Sequence, residues 1–137
     1  MVNEQIMDFL SAPRHAILAT NRLNGSPQVS PVWYIFENGQ LYISTSVQTA
    51  KAQNIMRDRR VTVCVDGGRG DSRYVVLSGS VAIVSNGAPA QQAMRWRIIR
   101  HYHSNEAAAR TYHDATQNES QILLVLAPEK IFGRNFN

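Results

Sequence analysis

One cysteine, Cys64, stands in 137 residues, so no internal disulfide can form, and the chain fits a reducing compartment such as the cytoplasm. Lysine is almost as scarce: two of the fourteen basic residues, Lys51 and Lys130, are lysine, against ten Asp and Glu. The arginines are scattered, and the densest group, Arg57 to Arg60, carries its own counter-charge in Asp58. A net charge of +4 spread this way, with no exposed aromatics between the charges, argues against nucleic acid as the main partner. No apolar run approaches the ~20 residues of a membrane span. The opening MVNEQIMDFLSAPRHA has an acid before any basic cluster and no long apolar centre, so it does not read as a secretory signal.

The chemistry-bearing patterns are thin as well. Neither a nucleophile triad nor a pair of acid and base carboxylates is visible, so no catalytic side chain is assigned. His101 and His103 are two residues apart on an expected helix and face different ways, and His15 and His113 fall on other elements, so no metal site is expected. DGGRGD, residues 66–71, is glycine-rich but lacks the strand-to-helix context and GK[ST] ending of a phosphate loop, so it reads as a turn. Cys64 in VTVCV reads as a small buried hydrophobe.

What the chain does have is apolar residues, 44% of the total, spread evenly enough for one globular domain over residues 1–137. That length is short for enclosing a cofactor unaided, so a second subunit is expected to complete any pocket. Ile6, Phe9 and Leu10 mark a short helix capped by Asn3 and ended by Pro13. Three strands in meander follow. His15 to Thr20 turns through Asn24-Gly25 into Gln28 to Phe36, which returns through Asn38-Gly39 as Leu41 to Thr45. Pro31 cannot donate to a ladder, so the second strand must be an edge, bulged, or opened toward something else there. Thr49 caps a helix to about Arg57, Val61 to Val65 is a strand, and Tyr74 to Val84 a long one with a bulge expected at Gly79. Two helices, Ala90 to Tyr102 and from Ser104 and Asn105 to Thr116, precede a last strand, Gln121 to Leu126. Mostly sequential antiparallel strands with few helices predict a mainly β fold, a small barrel of about six strands in Greek-key fashion with short flanking helices.

Lys51 falls in the first turn of the helix after LYISTS, where unpaired amides and the helix dipole already favour an anion. Ser44, Ser46 and Thr49 add hydroxyls to that point, and a phosphate fits such a set.

These stretches carry a resemblance. ILATNRLNGSPQVSPVWYIFENGQLYISTSVQTAKAQNIMRDRRVTVCVD, then YVVLSGSVAI and, later, ILLVLAPEKIFG, resemble the pyridoxamine 5'-phosphate oxidase-like split-barrel family, most closely its branch of deazaflavin (coenzyme F-420)-dependent oxidoreductases. The resemblance implies a six-stranded split β-barrel, a homodimer with FMN or coenzyme F-420 at the subunit interface, and a small-molecule substrate. By the same match, Gln28, Ser30, Pro31 and Val32 would contact the cofactor ring, and Ser44, Ser46, Thr49 and Lys51 its phosphate or ribityl side. Trp33 would then either wall the substrate side or pack in the core. The implied activity is hydride transfer between cofactor and an organic substrate; the alternative is a non-catalytic FMN or deazaflavin carrier with the same pocket. Protonation of a reduced substrate would come from solvent or Tyr74. Two departures bear on this. Thr49 stands where the branch often carries Arg, which weakens the case for a polyglutamate-tailed cofactor and leaves FMN open. Arg134 is followed by no His, which argues against vitamin B6 oxidation.

Overall fold

The structure is a computed structural model and describes residues 3–136. Local chemistry explains the first elements. The Asn3 side chain accepts the Ile6 amide at 2.9 Å and caps α1 (Glu4–Ser11), after which β1 (His15–Thr20) begins beyond Pro13. The expected second strand is two: β2 (Gln28–Val32) and β3 (Ile35–Glu37), broken at Trp33 and Tyr34. Asn38 and Gly39 both take positive φ, 52° and 75°, the two-residue turn that their pairing predicts, and lead into β4 (Gln40–Ser46). Asn24-Gly25 does not make such a turn; the connection from β1 to β2 runs over residues 21–27.

The remainder is α2 (Ala50–Arg57), β5 (Arg60–Asp66), β6 (Tyr74–Val84), α3 (Pro89–His101), α4 (Glu106–Thr116), β7 (Gln121–Leu126) and β8 (Lys130–Arg134). All pairings are antiparallel, in the order β2-β1-β5-β6-β7-β4-β3 with β8 beside β6. β2 and β3 are thus the two ends of one path yet neighbours in sequence, so the chain itself joins the open ends of a split barrel. Pro31 lies on an end strand, where its missing N–H costs no interior ladder bond. Eight strands replace the expected six because one run breaks and because β8, in APEKIFGRNFN, has too few apolar residues to announce itself.

Gly79 is not a bulge: β5 pairs with β6 without interruption through Val61↔Gly79 and Arg60↔Ser80. It marks instead where β6 changes partner, from β8 at Tyr74–Ser78 to β7 at Val81–Val84. A Cβ there would meet the carbonyl oxygen of Ala127 and the amide of Glu129, both at 3.1 Å, so the crossing of β7 into β8 explains the glycine.

Alternate residues fill the barrel: Leu18, Leu41, Val63, Val65, Leu77 and Leu126 are fully buried, with Phe9 and Leu10 of α1 closing one side. Cys64 faces the other way and is half-buried on the outer surface, so the expectation of a core thiol fails by one strand position. A second cluster, Ile35, Met94, Ile98 and Leu123, seats α3 on the outside of the sheet. Arg97 of α3 adds a two-pronged ion pair to Glu37, at 2.6 and 2.9 Å.

The break at Trp33-Tyr34 frees main-chain groups, and Tyr102 satisfies two. Its hydroxyl accepts the amide of Tyr34 at 3.3 Å and donates to the Arg14 carbonyl at 2.8 Å. Tyr102→Phe is expected to lower stability by about 1–3 kcal/mol, read from urea denaturation, because both groups lose their partner; an unchanged midpoint would show that the corner is held by packing alone.

Candidate functional site

Where β1, β2, β4 and α2 meet the α3–α4 pair, an open cleft of about 680 Å³ enters the molecule. Its floor is the end of the β1–β2 hairpin, with Pro31 opposite Ile17 and Val32 opposite Ala16. One side is polar: Ser44, Thr45 and Ser46 from β4, Thr49 and Lys51 from the start of α2, and Gln121 from β7. β4 alternates, burying Leu41, Ile43 and Thr45 and turning Ser44 and Ser46 outward, which brings those two hydroxyls to the same wall.

Lys51 is half-buried and makes no ion pair or side-chain hydrogen bond among the described residues. Burial pushes its ammonium below the usual lysine range. The amides of Ala50 and Lys51, in the first turn of α2, have no acceptor within the helix. Thr49 is less free: its hydroxyl donates to the Ser46 carbonyl at 2.9 Å and accepts the Ala52 amide at 3.2 Å, so it caps the helix and shapes the wall. The Ser46 hydroxyl accepts the Gln48 amide at 3.4 Å and keeps its own proton to donate.

Of the eight residues expected to hold a ligand, six border this cleft: Pro31, Val32, Ser44, Ser46, Thr49 and Lys51. Gln28 and Ser30 do not. The Gln28 amide is tied to Thr20 and to the carbonyl of Val29, each at 3.3 Å. The Ser30 hydroxyl is the one buried side-chain polar atom without a partner among the described residues.

Another part of the lining is aromatic. Trp33, set into the β2–β3 break, stacks on Tyr102 with centroids 5.2 Å apart and planes 13° from parallel, and Tyr112 of α4 stands 5.0 Å from it. Trp33 therefore lines the cleft rather than the barrel core. Burial raises the Tyr102 phenol to about 12, so it stays protonated near neutrality. Tyr74, the other proton source named from sequence, lies outside the cleft on β6 beside Phe132. Among the described residues no three His, Cys, Asp or Glu side chains group as metal ligands, and no helix is long and apolar enough to cross a membrane.

The profile of the pyridoxamine 5'-phosphate oxidase family matches residues 2–135. The chain belongs to that family. Solved structures of similar shape carry the fold in full. One described as an F420 reductase is 22% identical, with a TM-score of 0.74 over 96% of this chain and 98% of its own. A conserved hypothetical protein from Mycobacterium tuberculosis is 24% identical, with a TM-score of 0.75 over 97% and 84%. A pyridoxamine 5'-phosphate oxidase-related, FMN binding protein from Nostoc punctiforme is 18% identical, with a TM-score of 0.59 over 88% and 73%.

Within this family member, sequence reasoning passed over Arg95, which sits in MRWR as if on a solvated face. Its position carried a signal all the same. Gln91, Met94, Arg95, Ile98 and Ile99 are the buried residues of α3, so Arg95 occupies an i+4 slot of the inward stripe, and it borders the cleft.

An unpartnered, half-buried lysine should cost stability. Below its lowered folded value Lys51 is charged in folded and unfolded chains alike, and the folded state bears the desolvation. As the pH rises through that value, the folded lysine sheds its proton first and the cost fades. Lys51→Met, which keeps the apolar stem, is expected to raise the thermal midpoint at pH 7, by a margin that shrinks toward the ordinary lysine value of about 10.4. A lower midpoint at pH 7 would show instead that Lys51 contributes to folding.

Proposed function

We propose that this protein is a flavin- or deazaflavin-dependent oxidoreductase that moves a hydride between the bound cofactor, FMN or coenzyme F-420, and a small organic substrate. The observation that carries this reading is the pairing, in one cleft, of an anion cradle with an apolar strand edge. Lys51, the free amides of α2 and the hydroxyls of Ser44 and Ser46 suit a phosphate and its adjoining polyol. Pro31 and Ile17 on the outer face, and Val32 and Ala16 on the inner one, border the cleft where the β1–β2 pair ends and give a planar ring an apolar strand edge. Gln28 and Ser30 continue the same edge strand, and a ring reaching them would meet main chain rather than side chain, since the Gln28 amide is occupied. The cleft is of ordinary size for a cofactor site.

When bound, the cofactor supplies the hydride chemistry itself. The protein's part is to bind, orient and exclude water. Lys51 and the α2 amides hold the anionic end, and Thr49 keeps the helix start in place. Trp33, Tyr102 and Tyr112, packed on one another, add flat aromatic faces to the lining of the same cleft. Tyr102, protonated and committed to main-chain groups, positions Trp33 rather than delivering a proton.

The same reading makes the protein a homodimer. Strand register aligns Pro31, Ile17, Cys64, Val76 and Phe132 in one row across the outer face of the sheet. Ile17 is 38% exposed and Phe132 45%, an apolar stripe that a second copy would cover. The row ends at Pro31 and Ile17, both in the cleft wall, so a partner seated there would also close the cleft.

Two experiments test these statements. Fluorescence titration with FMN and, separately, with coenzyme F-420 should show binding of at least one, weakened about tenfold or more in Lys51→Ala, the value of one lost charge-assisted contact. Binding of neither, or equal affinity in the variant, would sink the cofactor reading. Sedimentation equilibrium should find wild type as a dimer and Ile17→Glu as a monomer with weaker cofactor affinity; a monomeric wild type would remove the dimer.

A further inference from the structure

The cleft holds a second cation whose setting differs from that of Lys51. Arg95 is only 7% exposed, and α4 lies against it: one terminal nitrogen donates to Thr116 Oγ1 and, at 3.4 Å, to the carbonyl of His113. The Nε and the other terminal nitrogen make no hydrogen bond to the described residues. Neither is among the buried atoms left without a partner, so both keep some exposure, and the open space that Arg95 borders is the cleft and a smaller polar hollow of about 350 Å³ beside it. A guanidinium stays charged at any physiological pH. Glu119 acts on it through space, yet no carboxylate comes within 4.0 Å among the described residues. Glu119, which borders the same two spaces, is its counter-charge at a distance, and a nearly buried cation with spare donors and no ion pair is poorly satisfied until an anion comes into contact.

What stands next to it narrows the anion. Tyr112 is one helical turn before Thr116, its carbonyl accepts the Thr116 hydroxyl at 2.9 Å, and its ring is 5.0 Å from Trp33. The free donors of Arg95 and the two flat faces therefore border one cleft, the same that Lys51 borders. Arginine's planar donors match a carboxylate, and aromatic faces match a conjugated body.

We propose that Arg95 is the residue that determines substrate class, receiving the carboxylate of a planar, conjugated substrate whose body lies against Trp33 and Tyr112. This rests on the cofactor reading above and deepens it. A purely structural Arg95, stapling α3 to α4, would show no preference among ligands.

The test uses 2-naphthoate and its uncharged counterpart 2-naphthamide, titrated calorimetrically into protein saturated with whichever cofactor it binds. Wild type should prefer the carboxylate by about tenfold or more. Arg95→Met should erase that preference by weakening 2-naphthoate while leaving 2-naphthamide within about threefold, the signature of a lost charge rather than a lost shape. Should Arg95→Met fail to fold by circular dichroism, Arg95→Lys carries the test, since it keeps the charge and loses the fork: a several-fold loss for 2-naphthoate alone is expected. Equal affinity of the two ligands for wild type, or a parallel loss of both in the variant, would overturn the proposal. So would a loss of cofactor affinity in Arg95→Met as large as that in Lys51→Ala, which would give Arg95 to the cofactor. If neither cofactor binds, the same titration on free protein separates the two ideas. A carboxylate preference lost in Arg95→Met keeps the anion site while the cofactor reading falls, and no preference removes both.

Discussion

At the corner between β2 and β3 the amide of Tyr34 leaves the ladder and finds the oxygen of Tyr102, whose proton goes to the carbonyl of Arg14. A main-chain group taken out of a strand and away from water must be satisfied, and here the side chain of the residue that caps the C-terminus of α3 does it for two segments at once. The Tyr34 phenol completes the tie by donating to the Ala12 carbonyl at 3.1 Å. The linker before β1, the strand break and the helical layer are thereby held to one another. Without that corner β2 and β3 would continue as one strand, the two ends of the sheet would not be joined by the chain, and Trp33 would have no place at the mouth of a cleft.

The cleft is then a by-product of how the barrel closes. Because β2 ends the strand order, no strand among the described residues pairs with its outer edge, and Pro31 is tolerated there while it would disrupt an inner strand. Because the sheet is pleated, Ser44 and Ser46 leave the core on the side that Leu41 and Ile43 do not use. The charges follow a different logic from the packing. Several cations on the surface have acids beside them: Arg60 with Glu129, Arg73 with Asp71, Arg97 with Glu37. Asp71, with Arg73 hydrogen-bonded to it, is held at about 2, the ordinary consequence of such pairing. Lys51 and Arg95 are partly or nearly buried and have no such acid, and both border the same open space. Unsatisfied charge concentrated in one cavity is the pattern expected where structure yields stability to binding.

Much of this was legible beforehand, and the physical reasons are specific. Asn3, Thr49 and Asn105 cap the helices expected of them, since a cap depends on a side chain reaching an amide three residues on. Asn38-Gly39 makes its turn because both residues tolerate positive φ, whereas Asn24-Gly25 lies in a longer loop that nothing local dictates. Gly79 was misread because a glycine in a strand signals either a bulge or a close neighbour, and the neighbour, the backbone after β7, is nearly fifty residues away. Cys64 lies outside the core because it shares its strand face with Thr62, opposite Val61, Val63 and Val65, and its own apolar character masks that alternation. Arg95 was passed over because its burial comes from α4.

The sequence by itself determined most of the elements, their caps, the Asn38-Gly39 turn, the antiparallel β class and the local chemistry of the Ser44 to Lys51 segment, all of which depend on interactions spanning a few residues. Only the tertiary structure decided that the Gln28 to Phe36 run breaks and joins the two sheet ends, and that β6 serves two partners. It alone sets Trp33, Tyr112 and Arg95 around the cleft that Lys51 borders. Those outcomes depend on which distant elements share one core and one cavity, and no short-range pattern contains that.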